Sequence, residues 1–300
     1  MFTGIIPALL TPFTPQGDVN LTALADLVEF VLAGGVRGLY LCGSAGEGLL
    51  LSEAERRSVV ETAVDQVDGR VPIIVHVGAL ATATSARLAR HARETGADAV
   101  ASIPPFYYPV GEEGIRAHYR EIARAAELPL YAYNIPGLTN VDLGTELIEG
   151  LFREGVIQGV KYTSYNQLDF RKLVETCGPE LNLFSGPDEM LLPFLVMGGH
   201  GGIGTAYNCF PDLFVAIYDA WRAGDVSQAQ KLQYQVDRFI LLLRVYGVIP
   251  AVKVVTRWAG VDCGPPRMPI QPLTAAAEEQ LRQEVEQLGL LPQSEGKETS

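Results

Sequence analysis

Short apolar runs alternate with amphipathic helical segments along the first 224 residues of the chain. Most of the apolar runs are continuous stretches of Val, Ile, Leu and Ala without in–out alternation, which is typical of parallel strands covered on both faces. The predicted strands are Gly4–Leu10, Gly38–Leu41, Pro72–Val77, Ala99–Ser102, Leu130–Asn134, Ile157–Lys161, Asn182–Ser185 and Gly201–Thr205. The predicted helices are Leu21–Ala33, Ser52–Val67, Ala81–Thr95, Glu112–Ala126, Gly144–Glu154, Gln167–Cys177, Glu189–Met197 and Pro211–Ala223.

The strict alternation of strands and helices predicts the fold class. Eight strand–helix units are the number in a closed (β/α)8 TIM barrel. A doubly wound open sheet is the alternative, but it would need a switch point and usually has fewer strands. Ser52 and Glu55 form a capping-box pattern that marks the start of the second helix. We therefore predict an α/β fold with a TIM barrel over residues 1–224.

Beyond Gly224 the pattern changes to helices alone, and the proline-rich stretch Gly264–Pro272 interrupts them. The predicted helices are Asp225–Tyr246, Ile249–Ala259 and Thr274–Leu288. We predict that residues 225–292 form a C-terminal helical extension packed on the barrel. Residues 293–300 are polar and are predicted to be a disordered tail.

Composition and charge narrow the class of partner. Of the 300 residues, 48% are apolar and 19% are charged, which suffices for a large buried core. The 35 acidic residues outnumber the 23 basic ones, and the net charge of −12 argues against nucleic acid or an anionic membrane as a main partner. An anionic small substrate is still compatible with this charge, since a local pocket can be positive on an acidic protein.

The opening stretch and the cysteines together indicate a cytoplasmic protein. The stretch Met1–Phe13 is apolar, but Pro7 and Pro12 interrupt it and no basic region precedes it. It therefore predicts neither a membrane span nor a signal peptide. The four cysteines lie far apart without a C-x-x-C pair, which indicates reduced, buried thiols rather than disulfides or a zinc site. They are Cys42, Cys177, Cys209 and Cys263.

Lys161 follows a mostly apolar run at the end of the predicted sixth strand. Active sites of TIM barrels lie at the carboxyl ends of the strands. An ammonium there would be poorly solvated, which favours the neutral amine that can attack a carbonyl group. A lysine that extends to solvent at the rim is the structural alternative. Tyr133 ends the predicted fifth strand and would face the same mouth as a proton relay, although taken alone it fits a core tyrosine better.

Three further segments follow predicted strands. The loop Gly43–Gly48 (GSAGEG) exposes backbone N–H groups and the Ser44 hydroxyl, a nest suited to a carboxylate, although a plain tight turn is the simpler interpretation. The run Gly198–Gly204 (GGHGGIG) lacks the Lys or Arg that a phosphate site needs and favours close approach of the backbone to a substrate. Asp188 and Glu189 would project into the same mouth, unless they are a solvated pair at a helix start.

The histidines predict no metal site, because His76, His91, His118 and His200 do not form a ligand pattern. The sequence also lacks the G-x-S-x-G elbow, the Walker loop and the dinucleotide-binding fingerprint. We therefore expect neither a metal nor an organic cofactor.

Five motifs occur in a fixed order from about Gly4 to about Pro272. They are GSAGE at the second strand, PPFYYP after the fourth, YNIP at the fifth, GVKYTS at the sixth and GGIGTAYN at the eighth. Together they resemble the dihydrodipicolinate synthase and N-acetylneuraminate lyase superfamily. The resemblance implies a homotetrameric TIM-barrel enzyme that forms a Schiff base with pyruvate through the lysine of the sixth strand.

By position, the resemblance assigns four catalytic residues. Lys161 is the Schiff-base lysine and Tyr133 the proton relay, while Ser44 binds the keto-acid carboxylate and Tyr107 is exchanged between neighbouring subunits. The implied substrate-binding residues are Ala45, Thr163, Gly186, Asp188, Glu189, Gly204 and Thr205. Ala45 stands where the superfamily usually has threonine, so the backbone amide remains but a hydroxyl is lost from the carboxylate site.

Two positions indicate the branch. Dihydrodipicolinate synthases carry an arginine two residues after the proline of YNxP, and Leu138 stands there in this chain. In N-acetylneuraminate lyases a G-x-D-E stretch binds the hydroxylated tail of the sugar, and SGPDE supplies Gly186, Asp188 and Glu189 here. Adjacent carboxylates accept hydrogen bonds from vicinal hydroxyls. We therefore expect an N-acetylneuraminate lyase-like aldolase that cleaves a 2-keto sugar acid reversibly to pyruvate and an aldehyde.

The alternatives within the superfamily keep the mechanism and change the aldehyde. They are dihydrodipicolinate synthase, which Leu138 disfavours, and a 2-keto-3-deoxy sugar acid aldolase or dehydratase. A rival from another class is a non-catalytic homologue that senses a keto acid. Loss of the lysine or the tyrosine would be its expected mark, and Lys161 and Tyr133 are both present.

Overall fold

The computed structural model describes residues 1–291, and the predicted tail at 293–300 lies outside them. Within these residues, eight strands form one sheet in which every pairing is parallel. The strands are β1 (Gly4–Pro7), β2 (Leu39–Leu41), β3 (Ile73–His76), β4 (Ala99–Ser102), β5 (Leu130–Asn134), β6 (Gly159–Tyr162), β7 (Asn182–Ser185) and β8 (Gly201–Gly204).

Twelve α-helices accompany the strands in the described part of the chain. They are α1 (Leu21–Ala33), α2 (Glu53–Val67), α3 (Thr82–Thr95), α4 (Gly111–Ala126), α5 (Pro136–Thr139), α6 (Gly144–Arg153), α7 (Gln167–Cys177), α8 (Leu191–Val196), α9 (Pro211–Arg222), α10 (Val226–Tyr246), α11 (Val248–Ala259) and α12 (Ala275–Gln287). Short 3-10 helices occur at Gly48–Leu50, Gly178–Glu180, Asp188–Met190 and Ala206–Asn208. None of the helices within residues 1–291 is long and apolar enough to cross a membrane.

The sheet closes on itself. Its order is β1-β8-β7-β6-β5-β4-β3-β2, and the two ends meet at a parallel bridge between Ala8 and Tyr40. The Leu9 N–H donates to the Tyr40 carbonyl at 2.9 Å across this seam. The predicted TIM barrel is therefore confirmed. All residues of the eight strands are buried, which explains why their sequences show continuous apolar runs rather than alternation.

Several helix starts follow local sequence signals. At α2, Ser52 Oγ accepts a hydrogen bond from the Glu55 N–H at 3.2 Å, while Glu55 Oε2 accepts from the Ser52 N–H at 2.8 Å. The capping box predicted from sequence is thus formed. Thr274 and Asp225 likewise cap α12 and α10 through their side chains.

Two predicted boundaries were wrong in ways that bear on the site. The expected helix Glu189–Met197 is a 3-10 turn at Asp188–Met190 followed by the short helix α8. Strand β6 continues through Tyr162, so Lys161 is its penultimate residue rather than its last. The 3-10 turn forms where the Asp188 side chain is tied to backbone amides that follow β8.

The C-terminal helices pack on one side of the barrel. Helix α10 contacts α9 and the 3-10 turn that follows β7, and α11 contacts α10 and α12. The buried side of α10 includes Val236, Phe239 and Leu243. These contacts bring the predicted extension next to the carboxyl ends of β7 and β8.

Candidate active site

Lys161 and Tyr133 lie side by side inside the mouth of the barrel. They are Cα partners in the pairing of β6 with β5, so their side chains point in the same direction. Lys161 is 4% exposed, and its Nζ lies 4.4 Å from the centroid of the Tyr133 ring. The amine is therefore a buried group and does not extend to solvent at the rim.

Sequence reasoning missed the second ring that encloses the amine. The Tyr40 ring centroid lies 4.6 Å from Lys161 Nζ, and its plane is edge-on to that of Tyr133 at 6.0 Å. Burial raises the pKa of the Tyr40 phenol well above its usual value, so this hydroxyl stays protonated. Tyr40 is the penultimate residue of β2. Its position near the carboxyl end of that strand was the sequence signal that could have identified it.

The Ser44 loop lies beside Tyr133. Ser44 Oγ is 3.5 Å from the Tyr133 hydroxyl, whereas Ala45 is 2% exposed. Tight backbone bonds shape the loop, because the Glu47 N–H donates to the Ser44 carbonyl at 3.1 Å and the Gly46 carbonyl accepts from Thr11 Oγ1 at 2.6 Å. The loop thus holds the Ser44 hydroxyl close to the Tyr133 hydroxyl.

His76 is a further side chain of this cluster that sequence reasoning considered only as a metal ligand. Its ring stands edge-on to Tyr133 at 5.9 Å, and its Nδ1 bonds to the Cys42 carbonyl at 3.0 Å. Burial lowers the pKa of His76 to about 3, so the ring is neutral and Nδ1 carries the proton that it donates. Nε2 is buried without a partner among the described residues.

A cavity of 280 Å³ opens beside this cluster, with Ser44, His76, Ile103 and Leu138 among its lining residues. Leu138, which the sequence analysis identified as a position that distinguishes the two branches, therefore lines the cavity. Its apolar side chain offers no hydrogen-bond donor to a second carboxylate.

A buried ion pair lies behind the Ser44 loop. Lys253 Nζ on α11 is 2.8 Å from Glu47 Oε1, and the two side chains are 1% and 0% exposed. Lys253 also donates to the Thr11 and Pro265 carbonyls at 2.9 and 3.0 Å, and Glu47 Oε2 accepts from the Arg267 N–H at 2.7 Å. Burial lowers the pKa of Lys253, and its attraction to Glu47 opposes that effect. The pair attaches the C-terminal helices to the loop.

A second cavity, here called the tail pocket, has a volume of 180 Å³ and lies between the ends of β6, β7 and β8 and helix α10. Its walls include Thr163, Gly186, Asp188, Glu189, Thr205 and Arg244. Thr163 Oγ1 is buried without a hydrogen-bond partner among the described residues. A Cβ at position 186 would meet that oxygen at 1.8 Å, so only glycine leaves room for the hydroxyl. The Thr163 hydroxyl is therefore packed against the backbone of Gly186.

Asp188 is buried at the base of the tail pocket. Its two carboxyl oxygens accept hydrogen bonds from the Thr205 N–H at 3.2 Å and the Ala206 N–H at 2.8 Å. Burial raises the pKa of this carboxyl to about 7, and the hydrogen bond from the Ala206 amide only partly offsets that effect. A Cβ at Gly204 would meet Asp188 Oδ1 at 2.0 Å, so that glycine makes the contact possible. The solvated acidic pair considered from sequence is therefore wrong for Asp188.

Glu189 has charged and polar partners of its own. Its carboxylate accepts hydrogen bonds from the Tyr165 hydroxyl and from Arg244 Nη2, an ion pair between the turn after β7 and α10. Arg244 and Tyr165 were not predicted as site residues. The pattern gave no signal for Arg244, which is 55 residues distant along the chain from Glu189.

Tyr107 lies apart from these side chains. It is 71% exposed, and its ring packs edge-on against Tyr108 at 4.9 Å. No hydrogen bond joins it to Tyr133 in the part of the chain that the structure describes. Nor does any group of three or more His, Cys, Asp or Glu side chains in residues 1–291 have an arrangement that could hold a metal ion.

The sequence profile of the Dihydrodipicolinate synthetase family matches residues 1–288. The chain belongs to this family. Two relatives represent its two branches. The N-acetylneuraminate lyase of Rhizobium meliloti is 38% identical over 282 residues, which cover 94% of each chain. The 4-hydroxy-tetrahydrodipicolinate synthase of Methanopyrus kandleri is also 38% identical, over 293 residues and 97% of each chain. Overall identity is thus the same for a member of either branch.

Solved structures of the family share the fold closely. Clostridium difficile CdNal, crystallised in complex with mannosamine, superposes with a TM-score of 0.92 at 29% identity and covers 95% of this chain and 99% of its own. Dihydrodipicolinate synthase from Aquifex aeolicus gives the same TM-score at 29% identity, covering 97% and 100%. By its family and its fold, the chain is therefore an aldolase of the dihydrodipicolinate synthase and N-acetylneuraminate lyase superfamily.

Proposed function

We propose that the protein is a class I aldolase that cleaves a 2-keto sugar acid reversibly to pyruvate and an aldehyde through a Schiff base on Lys161. The observation that carries the proposal is the contact of the buried Lys161 amine with the Tyr133 ring, together with Ser44 Oγ 3.5 Å from the Tyr133 hydroxyl. The proposed nucleophile contacts the ring of the proposed proton relay, and the hydroxyl of that relay lies next to the proposed donor for the keto-acid carboxylate. That is the set of groups that imine chemistry requires.

In the proposed mechanism, the neutral Lys161 amine attacks the C2 carbonyl of the substrate, and loss of water gives a protonated imine. Tyr133 gives its phenol proton to the departing water, and its phenolate then takes the proton of the C4 hydroxyl as the C3–C4 bond breaks. The bonding electron pair moves into the iminium to give an enamine. The aldehyde leaves, the enamine is protonated at C3, and water releases pyruvate from Lys161. The iminium is the electron sink, so the cycle needs no metal or organic cofactor.

Ser44 and the Ala45 amide bind the pyruvate carboxylate in this proposal. Ala45 is buried and lacks the hydroxyl of the usual threonine, a loss of about 0.5–1.5 kcal/mol if that hydroxyl makes a hydrogen bond elsewhere in the family. The aldehyde portion occupies the tail pocket, where Thr163, Gly186 and Thr205 supply the inner wall. Gly186 and Gly204 have no side chain, which allows Thr163 and Asp188 to pack closely against them.

We further propose that the enzyme is a homotetramer in which the neighbouring subunit supplies Tyr107. The exposed Tyr107–Tyr108 pair supports this, because two large aromatic side chains with more than 70% exposure are typical of a surface that another chain covers. Within one chain Tyr107 has no bond to Tyr133, so the relay would be completed only in the assembly.

A dihydrodipicolinate synthase activity is the second candidate, because the Methanopyrus kandleri relative is as similar as the lyase. Leu138 in the wall of the 280 Å³ cavity counts against it, since no arginine is present there for a second carboxylate. A 2-keto-3-deoxy sugar acid aldolase or dehydratase fits the same cluster of residues.

The central test is trapping of the imine. Incubation with pyruvate and borohydride is expected to attach one reduced pyruvate to each chain, at Lys161, as mapped by peptide mass spectrometry. Lys172, which bonds to Glu146 on the barrel surface, serves as the internal control and is expected to stay unmodified. An adduct on another lysine, or none, would refute the mechanism. The same trapping with a panel of sugar acids and with aspartate semialdehyde then identifies the aldehyde.

A further inference from the structure

The C-terminal helical extension contributes directly to the tail pocket. Ile240, Leu243 and Arg244 of α10 form the wall that faces the ends of β6 and β7. Two of these side chains are apolar, so Arg244 is the polar group that this wall presents. Its side chain is 47% exposed, and it is therefore accessible to a ligand that enters from the mouth of the barrel.

The carboxylates of the pocket are already engaged. Both oxygens of Asp188 accept hydrogen bonds from backbone amides, and Glu189 accepts from Tyr165 and Arg244. Each oxygen has more than one lone pair, so each carboxylate can still accept a bond from a substrate hydroxyl. The two carboxylates alone, however, offer only acceptors. A substrate hydroxyl also accepts hydrogen bonds, so it needs a donor as well.

Arg244 supplies the missing donors. Its Nη2 donates hydrogen bonds to Tyr165 and Glu189, whereas Nε and Nη1 donate to no acceptor among the described residues. A guanidinium has five N–H donors in a fixed plane. The Arg244–Glu189 pair therefore presents donors and an acceptor next to one another, which is the complement of a vicinal diol.

The charges around the pocket decide between an uncharged and an anionic tail. Arg244 is neutralised by Glu189, and the nearby Asp188 and Asp237 add further acidic groups. A carboxylate or phosphate on the tail would therefore meet no uncompensated cation there.

We propose that Arg244 is a specificity-determining residue that, together with Glu189, binds hydroxyl groups of an uncharged, polyhydroxylated tail on the aldehyde portion of the substrate. This inference rests on the proposed aldolase function and names the substrate class within it.

The test compares Arg244→Met with Arg238→Met. Arg238 lies on the same helix, next to the Tyr234 ring, and is not among the residues that line the tail pocket. Three 4-hydroxy-2-oxo acids of equal length serve as substrates, with a tail of vicinal hydroxyls, of methylenes or ending in a carboxylate. Arg244→Met is expected to lower kcat/KM for the hydroxylated substrate by about 10- to 100-fold, and hardly to change that for the methylene substrate.

Pyruvate trapping at Lys161 separates this inference from the proposed function. Trapping is expected to be unchanged in both variants, because pyruvate does not reach α10. Intact trapping with equal losses for the hydroxylated and methylene substrates would overturn the role of Arg244, and so would an equal effect of Arg238→Met. Preference of the unmodified enzyme for the carboxylate tail, lost in Arg244→Met, would overturn the uncharged tail.

A binding experiment tests the pocket even if trapping fails. Ligand-observed NMR with an open-chain sugar alcohol is expected to show binding to the unmodified protein and to Arg238→Met, and loss of binding to Arg244→Met. Equal binding to all three proteins, or to none, would contradict the inference whatever the outcome at Lys161.

Discussion

The Tyr133 ring covers the Lys161 amine at 4.4 Å while its hydroxyl lies 3.5 Å from Ser44 Oγ. The pairing of β5 with β6 sets the first distance, because it makes Tyr133 and Lys161 direct neighbours. The loop after β2 sets the second. One tyrosine therefore lies against both the proposed nucleophile and the Ser44 hydroxyl of the proposed carboxylate site.

Removal of the Tyr133 hydroxyl is expected to slow turnover strongly. Tyr133→Phe keeps the ring against Lys161 but removes the proton relay, so kcat is expected to fall by about 10²-fold or more, the usual scale for a lost general acid–base group. Tyr131→Phe is the matched control, since Tyr131 lies on the same strand and its hydroxyl bonds to Asn182. Turnover of Tyr133→Phe equal to that of the unmodified enzyme would remove the residue from the mechanism.

The acidic pair of the tail pocket is expected to act on the aldehyde portion alone. Replacing Asp188 and Glu189 with Asn and Gln retains their shape and removes the charged acceptors. Each lost charge-assisted bond is expected to cost roughly 1.5–3 kcal/mol, about 10- to 150-fold in kcat/KM for a polyhydroxylated substrate. Pyruvate trapping serves as the control and should hardly change. Equal losses in both assays would show that the pair is structural.

The buried pair of Glu47 and Lys253 is expected to stabilise the fold only as a pair. Lys253→Met leaves the Glu47 carboxylate buried without its cation, a change that typically costs about 3–5 kcal/mol of unfolding free energy. The double variant Glu47→Gln with Lys253→Met removes both charges and is expected to recover part of that loss. Urea unfolding of the three proteins measures the difference. A double variant less stable than Lys253→Met would refute this account.

The buried Asp188 carboxyl predicts a pH dependence of stability. Burial raises the pKa of Asp188 from 3.8 to about 7. Between these values the folded chain retains a proton that the unfolded chain has lost, so the contribution of Asp188 to stability falls as pH rises and levels off above about pH 7. The difference between the two pKa values corresponds to roughly 4 kcal/mol at most.

Asp188→Asn removes this titration. The stability of the variant relative to the unmodified protein is therefore expected to increase as the pH rises from about 4.5 to about 8. Thermal unfolding of both proteins at these two pH values measures the change. Asp169→Asn is a suitable control, because Asp169 is only half-buried, near the start of α7, where its carboxylate accepts a hydrogen bond from Asn166 Nδ2. The same stability difference at both pH values would show that the Asp188 carboxyl is ionised throughout.

The sequence by itself determined the barrel and the position of its chemistry. Parallel strands that are covered on both faces must be apolar throughout, so the eight runs identify them without any knowledge of their partners. The ends of those runs then locate Lys161, Tyr133 and Ser44 at one mouth, since the active side of a TIM barrel is the carboxyl side of its strands. Local signals such as the Ser52–Glu55 capping box depend on adjacent residues and are therefore readable in the same way.

Only the tertiary structure decided which side chains meet across the mouth. Glu47 and Lys253 are 206 residues apart along the chain, and Glu189 and Arg244 are 55 residues apart. No periodicity relates such residues, because their contact depends on how α10 and α11 pack on the barrel. The same holds for Tyr40, which encloses Lys161 from a strand far around the sheet. Sequence patterns fix which face of an element is buried, whereas the partners of a polar side chain on that face depend on the packing of distant elements.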